Sequence, residues 1–385
     1  MFEEAKHLRI PGPTPVPPAV QRAASKAMIN HRSPEFRRIA LSVQEGLRYV
    51  FQTEHDVVVL TGSGTAAMEA AVANLVSPGT KALVLVGGKF GERWLELVQA
   101  YRGEAVVLEY PYGEGVRPER VAEALAAHPG IEVVFATQNE SSTAVLNDIE
   151  GIAEAVRRGS DALLVVDAIS GLGGAPLPMD AWGVDVVVAG SQKCLMLPPG
   201  LSFVAASERA WRRMERSASP RYYFDLPAYR KAGAKGETPY TPNVSLFFAL
   251  EEALALIQGE GLEKGFERHR LMRDMVRAGI RALGLPLFVD EEWASPTLTA
   301  VAGVEGLDVE QLRKVVNTDF GVILSGGQGE LKGKIFRIGH MGYATPLDMI
   351  TALGAVELGL RRAGYDAPLG AGVRAAQEVL LQWLM

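Results

Sequence analysis

The sequence contains very little cysteine, since Cys194 is the single thiol among 385 residues. One thiol excludes an internal disulfide and a cysteine-rich zinc site, and such usage is typical of proteins from a reducing compartment. The six histidines show no H-x-x-x-H or comparable spacing. We therefore expect no metal site built from cysteine or histidine ligands.

Long uncharged segments and an excess of positive charge are also missing. The longest nearly uncharged stretch, residues 186–207, contains Lys193, two prolines and two glycines, which a lipid-facing helix would not tolerate. The first residues lack the apolar segment behind a basic end that a secretory signal requires. Lysine and arginine number 39 against 45 acidic residues, so a nucleic-acid partner is not expected. These absences predict a soluble, cytoplasmic protein that binds neither membranes nor nucleic acid.

Short apolar runs alternate with amphipathic segments in the first half of the chain. Seven runs rich in Val, Ile and Leu are predicted strands, at residues 57–60, 82–86, 105–108, 133–136, 163–166, 184–189 and 201–205. Helical patterns lie between most of them, at residues 66–75, 91–101, 118–128 and 152–158. This alternation is typical of a mostly parallel sheet covered by helices on both faces. The last strand follows its predecessor closely enough to return antiparallel.

The alternation ends after about residue 215. Residues 221–242 are rich in proline and are predicted to be loop, and a long helical pattern follows from residue 246 to about 283. Three more strands and two helices then predict a smaller α+β unit, and residues 373–384 predict a C-terminal helix. We therefore predict an α/β fold with an N-terminal arm (1–18), a large domain (19–258) and a small C-terminal domain (259–385).

A glycine-rich turn, residues 61–67 (TGSGTAA), lies between a predicted strand and a predicted helix. Backbone N–H groups at such a helix start favour an anion. The string also fits the G-x-G-x-x-A pattern of dinucleotide sites, but the next strand carries no acid for the ribose. A phosphate site is therefore favoured over a nicotinamide-dependent oxidoreductase, and a plain tight turn remains a second interpretation.

Asp167 and Lys193 follow neighbouring predicted strands, at the edge where ligands bind in open α/β sheets. Burial favours the neutral, nucleophilic amine of a lysine that forms Schiff bases. A lysine that extends to solvent and an acid that caps a turn are the structural alternatives. A phosphate site, an acid and a lysine in this order are what pyridoxal phosphate requires.

Arg337 is a charged residue flanked by apolar ones on a predicted strand. Its planar guanidinium suits bidentate binding of a substrate carboxylate, although a structural salt bridge is an equal alternative. His31 and Arg32 could reach a substrate side chain or lie on the surface.

Six motifs, in order along nearly the whole chain, resemble those of class V aminotransferases, pyridoxal-phosphate enzymes of fold type I, in the alanine–glyoxylate and serine–pyruvate branch. They are Pro11-Gly-Pro13, Thr61-Gly-Ser-Gly64, Glu140-Ser-Ser-Thr143, Val166-Asp-Ala168 with Leu172-Gly-Gly174, Gly190-Ser-Gln-Lys193 with Pro198-Pro-Gly200, and Arg337-Ile-Gly339. The resemblance implies transfer of an amino group from alanine or serine to glyoxylate or pyruvate, by a ping-pong mechanism in a homodimer.

The resemblance also implies a role for each matching residue. Lys193 would hold the cofactor as an internal aldimine and carry the substrate proton, and Asp167 would pair with the pyridinium. Arg337, with Gly12 close by, would bind the substrate carboxylate. Phe90 would stack on the pyridine ring, where animal-type relatives have tryptophan. The other implied cofactor contacts are Ser63, Gly64, Thr65 and Gln192 to the phosphate, Ser141 to the ring oxygen, and Thr238 and Thr241 from the neighbouring subunit to the phosphate.

Other pyridoxal-phosphate reactions use the same lysine and aspartate. A cysteine desulfurase would need a reactive cysteine on a small-domain loop, and residues 325–329 contain none. A 2-aminoethylphosphonate–pyruvate aminotransferase and a lyase on the same fold remain alternatives. A non-catalytic scaffold is disfavoured, because it would have no use for Lys193, Asp167 and Arg337 together.

Overall fold

Within residues 6–385, which the computed structural model describes, the chain forms thirteen strands and fourteen α-helices. The strands are β1 (His7–Arg9), β2 (Val57–Thr61), β3 (Lys81–Val86), β4 (Glu104–Glu109), β5 (Val133–Thr137), β6 (Asn139–Glu140), β7 (Val145–Leu146), β8 (Leu163–Asp167), β9 (Val186–Gly190), β10 (Leu201–Ala206), β11 (Leu298–Ala302), β12 (Val322–Gly326) and β13 (Ile335–Gly339).

The helices cover the strands and fill the connections between them. They are α1 (Pro18–Ala24), α2 (Pro34–Phe51), α3 (Gly64–Leu75), α4 (Lys89–Ala100), α5 (Pro118–Ala127), α6 (Ile149–Gly159), α7 (Met179–Trp182), α8 (Glu208–Glu215), α9 (Leu226–Gly233), α10 (Val244–Glu260), α11 (Leu262–Ala282), α12 (Val309–Phe320), α13 (Pro346–Arg362) and α14 (Ala371–Leu384). Among the described residues, no helix is long and apolar enough to cross a membrane.

Seven strands form one sheet in the order β2-β10-β9-β8-β5-β3-β4, and this confirms the predicted α/β fold. β10 runs antiparallel to both of its neighbours, and the other adjacent pairs are parallel. All seven predicted strands are present within two residues of their predicted bounds. Asp167 closes β8, and β9 ends three residues before Lys193, so both follow strands at the carboxyl edge of the parallel strands.

Both faces of this sheet are buried under helices, which explains why its strands are apolar without alternation. Val57 and Val59 pack in a core with α2 and α10, while Val58 and Leu60 pack on the other face with α3. Burying each such side chain contributes roughly 1.5–3 kcal/mol relative to its exposure to water. The two layers therefore hold the carboxyl edge of the sheet rigidly.

A second, four-stranded sheet has the order β1-β12-β13-β11 and packs with α11, α12, α13 and α14. β1 belongs to the predicted N-terminal arm, yet it pairs in parallel with β12 across more than 300 residues of sequence. The three residues of β1 are too few to show a strand pattern. Whether the domain division falls at residues 258 and 259 stays a prediction.

Two parts of the chain differ from the sequence-based expectation. The helical pattern from residue 246 to about 283 is interrupted at Gly261, whose φ of +85° is left-handed backbone that favours glycine. Residues 221–242, predicted to be loop, contain helix α9. Pro227 lies in the first turn of α9, where proline is tolerated because the first N–H groups have no partner within the helix.

Candidate active site

The glycine-rich turn leads directly into helix α3, as predicted. Ser63 is the N-cap residue, and its side chain makes no capping hydrogen bond within the described chain. A Cβ on Gly64 would lie 2.6 Å from Cδ1 of Ile169, so a larger residue at the first helical position would force the Ile169 side chain to move. Because the first turn of α3 contains no acidic residue, its N–H groups and the helix dipole favour an anion at this point.

Asp167 is a buried carboxylate at the end of β8. One of its oxygens, Oδ1, accepts the backbone N–H of Ile169 at 2.7 Å. Burial raises the pKa of Asp167 to about 7, although the Ile169 N–H acts in the opposite direction. A cationic partner would lower the pKa of such a buried acid, because the positive charge stabilises the ionised carboxylate.

Lys193 lies in the turn after β9 with its amine buried. Burial lowers the pKa of Lys193 to about 8, while the nearby Asp167 charge raises it. The amine donates a hydrogen bond to the carbonyl of Pro11 in the N-terminal arm. A lysine in this state has about a tenth of its amine neutral at pH 7, which is the nucleophilic form.

The N-terminal arm passes directly over Lys193. Thr14 donates its backbone N–H to the Gln192 carbonyl at 3.1 Å and its hydroxyl to the Lys193 carbonyl at 3.0 Å. A Cβ on Gly12 would lie 2.6 Å from Cδ of Lys193. Gly12 therefore packs against Lys193 in a space that a side chain would fill, and its place near the substrate carboxylate stays a prediction.

Arg337 is buried on β13, and its bonded partners are two backbone carbonyls. Nε and Nη2 donate to the Gly326 carbonyl at 3.0 and 2.7 Å, and Nη1 donates to the Ser141 carbonyl. Since a guanidinium carries five N–H donors, one N–H remains on each terminal nitrogen. Burial lowers the pKa of Arg337 to about 10, so the group stays charged at neutral pH and can hold a carboxylate.

Glu140 is a buried acid that begins the motif Glu140-Ser-Ser-Thr143 and has no role predicted from the sequence. Its Oε2 accepts the backbone N–H groups of Phe90 and Gly91 at 2.9 and 3.1 Å. Its Oε1 accepts the N–H and hydroxyl of Ser142 at 3.1 and 2.6 Å. Burial raises the pKa of Glu140, and these four donors oppose the rise. Glu140 thus fixes the start of α4, which carries Phe90.

The remaining predicted cofactor contacts divide into two groups. Thr65 and Phe90 lie in the first turns of α3 and α4, Ser141 follows β6, and Gln192 precedes Lys193 in the turn after β9. Thr238 and Thr241 lie on the loop before α10 instead. The Thr238 hydroxyl donates to the Tyr240 carbonyl at 2.7 Å, and Thr241 is exposed. Arg32 donates to the Thr238 carbonyl at 2.8 Å and so holds this loop.

The residues at the carboxyl edge of the sheet fit pyridoxal phosphate. Asp167 offers a buried carboxylate to a pyridine nitrogen, Lys193 offers an amine to an aldehyde, and the start of α3 offers N–H groups to a phosphate. The side-chain oxygen Oε1 of Gln192 is buried without a hydrogen-bond partner among the described residues, and a flip of this amide would turn its NH2 donors to the same place, where they could bind a phosphate. Each assignment to a cofactor atom stays a prediction.

Comparison with known proteins identifies the family. The model of the family "Aminotransferase class-V" matches residues 11–335. A Synechococcus protein named "Soluble hydrogenase, small subunit" is 43% identical over 382 residues, which cover 98% of this chain and 99% of that protein. The L-aspartate–glyoxylate aminotransferase of Paracoccus denitrificans is 38% identical over 378 residues, covering 96% of this chain and 94% of that protein.

A solved structure agrees with these sequence matches. The crystal structure of pyridoxamine–pyruvate aminotransferase from Mesorhizobium loti superposes with a TM-score of 0.95 at 33% identity, covering 99% of this chain and 98% of that chain. The fold and the matches confirm the family that the motifs predict. The chain belongs to the class V aminotransferases, pyridoxal-phosphate-dependent enzymes of fold type I, and to their alanine–glyoxylate and serine–pyruvate branch.

Proposed function

We propose that this aminotransferase moves the amino group of a small L-amino acid, alanine or serine, to glyoxylate or pyruvate in two half-reactions of a ping-pong cycle. The observation that carries the proposal is the buried amine of Lys193, held near Asp167 at the carboxyl edge of the sheet. The guanidinium of Arg337 adds a binding site for an α-carboxylate.

The cofactor would be held at three points. Lys193 would hold it through the amine, Asp167 through the pyridine nitrogen, and the phosphate would lie at Ser63, Gly64 and Thr65 with Gln192. Ser141 would contact the ring oxygen and Phe90 the ring face. When bound, pyridoxal phosphate supplies an electron sink for the electron pair left at the substrate Cα after proton removal.

The protein residues perform the binding and the proton transfer. Arg337 orients the substrate by its carboxylate, so that the Cα–H bond points toward Lys193. The Lys193 amine, whose pKa burial lowers to about 8, would accept the Cα proton and deliver it to carbon C4′ of the bound cofactor, since a base works best near the operating pH. Asp167 would keep the pyridine nitrogen of the bound cofactor protonated by its negative charge.

A homodimer completes the proposal. Thr241 is exposed on the loop before α10, and the backbone N–H of Asn243 on the same loop donates to the Thr61 hydroxyl at 3.2 Å. This contact places the loop beside the glycine-rich turn. In a dimer whose two-fold axis passes near this edge, each loop would also lie beside the glycine-rich turn of the other copy. Thr238 and Thr241 would then reach the phosphate of a second copy, so the active site would lie at the subunit interface.

The visible absorption spectrum of the purified protein tests the proposed reaction. With pyridoxal phosphate bound, L-alanine is expected to bleach the cofactor band, and glyoxylate is expected to restore it, because each half-reaction changes the form of the cofactor. D-alanine serves as the control and should leave the band unchanged.

Three other outcomes would change the proposal. A response to serine or 2-aminoethylphosphonate but not to alanine would change the substrate and keep the class of reaction. Bleaching without recovery upon addition of any 2-oxo acid would contradict transamination. A protein that takes up no pyridoxal phosphate would contradict the proposed role of Lys193.

Arg337→Ala is expected to weaken substrate binding far more than cofactor binding. Loss of a bidentate, charge-assisted contact should raise the KM for the amino acid by about 10- to 100-fold. The dissociation constant of pyridoxal phosphate should change less than about threefold, because the proposed cofactor contacts do not include Arg337. Arg337→Lys keeps the positive charge but lacks the planar guanidinium, and it should give an intermediate KM. An unchanged KM in Arg337→Ala would refute the carboxylate role.

A further inference from the structure

Arg93 contacts two of the proposed cofactor-binding residues, although no motif assigned it a role. It lies on α4, one helical turn after Phe90, and its guanidinium carbon is 4.8 Å from the centre of the Phe90 ring. Its Nη1 donates to the Thr65 hydroxyl at 3.1 Å. Arg93 thus connects the first turn of α4 with the first turn of α3.

The part of α4 that carries Arg93 is fixed in place. Glu140 accepts the N–H groups of Phe90 and Gly91, as described above. The next residue, Trp94, is fully buried against Phe135 and donates its indole N–H to the Ala136 carbonyl at 3.3 Å. Because these contacts hold the backbone on both sides of Arg93, its guanidinium has a defined position between Phe90 and Thr65.

The positive charge of Arg93 has no carboxylate partner within 4.0 Å among residues 6–385, whereas Lys89 on the same helix turn pairs with Glu92. The Arg93 charge lowers the pKa of Asp167 and the pKa of Lys193, each as a smaller effect than burial. A half-buried cation without an acidic partner, beside a helix start, strongly favours a phosphate dianion in the same place.

We propose that Arg93 is a positioning residue for the cofactor, which holds the Thr65 hydroxyl at the phosphate end and the Phe90 ring at the pyridine end in one fixed arrangement. The inference rests on the proposed placement of pyridoxal phosphate at Thr65 and Phe90. The planar guanidinium of Arg93 would hold Thr65 and Phe90 in position, and its positive charge would strengthen binding of the phosphate.

Binding of pyridoxal phosphate to the apoprotein tests this role without any measurement of turnover. Arg93→Met removes the guanidinium and its charge but keeps a long side chain. It should raise the dissociation constant of pyridoxal phosphate by about 10- to 100-fold. Arg93→Lys keeps the charge without the planar guanidinium and should raise the dissociation constant by about three- to tenfold. Arg212→Met is the matched control, because Arg212 is exposed on α8, which begins at the opposite edge of the sheet.

A second readout separates the charge from the geometry. The pH midpoint of the cofactor absorption band should rise in Arg93→Met, because a cation near the titrating amine has been removed, and should stay near the wild-type value in Arg93→Lys. A merely structural role would leave this midpoint unchanged in both variants.

The outcomes distinguish this inference from the proposed function. If the wild-type protein binds no pyridoxal phosphate, the proposed function fails. If the wild type binds it and Arg93→Met binds it equally well, the Arg93 role fails alone. Should Arg93→Met not fold, a wild-type dissociation constant in Arg93→Lys overturns the geometric role, and a raised one supports it.

Discussion

Replacing Lys193 by alanine is expected to reduce kcat by about 10⁴-fold while leaving a folded protein. The variant loses both the amine that would hold the cofactor and the base that would carry the Cα proton, and general-base catalysis alone contributes about 10²–10⁴-fold. Folding should tolerate the change, because the substitution removes a buried amine whose bonded partner is one backbone carbonyl. Steady-state kinetics and circular dichroism measure the two effects.

A covalent label adds a second measurement for this lysine. Borohydride treatment of the cofactor-loaded wild type should add the mass of the reduced cofactor to the peptide that contains Lys193, and the alanine variant should show no such addition. Lys332→Ala is the control, since Lys332 is an exposed residue and should keep both turnover and labelling. Transamination at the wild-type rate in Lys193→Ala would contradict the assignment of this residue.

Asp167→Asn is expected to lower kcat by about 10²–10³-fold and to stabilise the apoprotein at the same time. The amide cannot hold a proton on the pyridine nitrogen by negative charge, so stabilisation of the transition state is lost. The free energy of unfolding of the apoprotein should rise in this variant, because the wild-type carboxylate is buried with one backbone N–H as its bonded partner. Removing its charge removes a desolvation penalty.

The pH dependence of this stability difference follows from the raised pKa of Asp167. Burial raises this pKa from 3.8 to about 7, so between these values the folded state holds a proton that the unfolded state has lost. Wild-type stability due to Asp167 therefore falls as the pH rises from about 4 to 7. The advantage of Asp167→Asn should grow over this interval to a few kcal/mol and then become constant.

Chemical denaturation of both apoproteins at pH 5 and pH 8 measures this difference. Equal stability of wild type and variant at pH 8 would show that the Asp167 carboxylate is not held in the buried, destabilised state. Added pyridoxal phosphate should reverse the order at pH 8, because the cationic ring nitrogen would stabilise the wild-type carboxylate and not the amide.

The site residues predicted from the sequence are those whose neighbours along the chain already indicate a role. Asp167 and Lys193 each follow an apolar run, and the chemistry of an isolated charge after a buried strand can be inferred without knowledge of the neighbours. The glycine-rich turn is likewise a local strand-to-helix pattern. Strand bounds were predicted closely because burial on both faces leaves continuous apolar runs in the sequence.

The residues that were missed depend on distant contacts. Glu140 bonds to residues about 50 positions earlier, and β1 pairs with a strand more than 300 positions later, so neither partner is visible locally. Arg93 looks like any polar residue of an amphipathic helix until its neighbours Phe90 and Thr65 are placed. The break at Gly261 was missed because a single glycine within a helical pattern is often tolerated.

The N-terminal arm connects the two sheets by a very short piece of chain. Arg9 is paired with Leu324 in the four-stranded sheet, and Thr14 is bonded to Gln192 and Lys193 at the edge of the seven-stranded sheet. Five extended residues span roughly 17 Å at most. The arm is therefore a tether that limits how far the strand β12 can move from Lys193, so the distance between the two sheets at this point is set by the covalent chain as well as by packing.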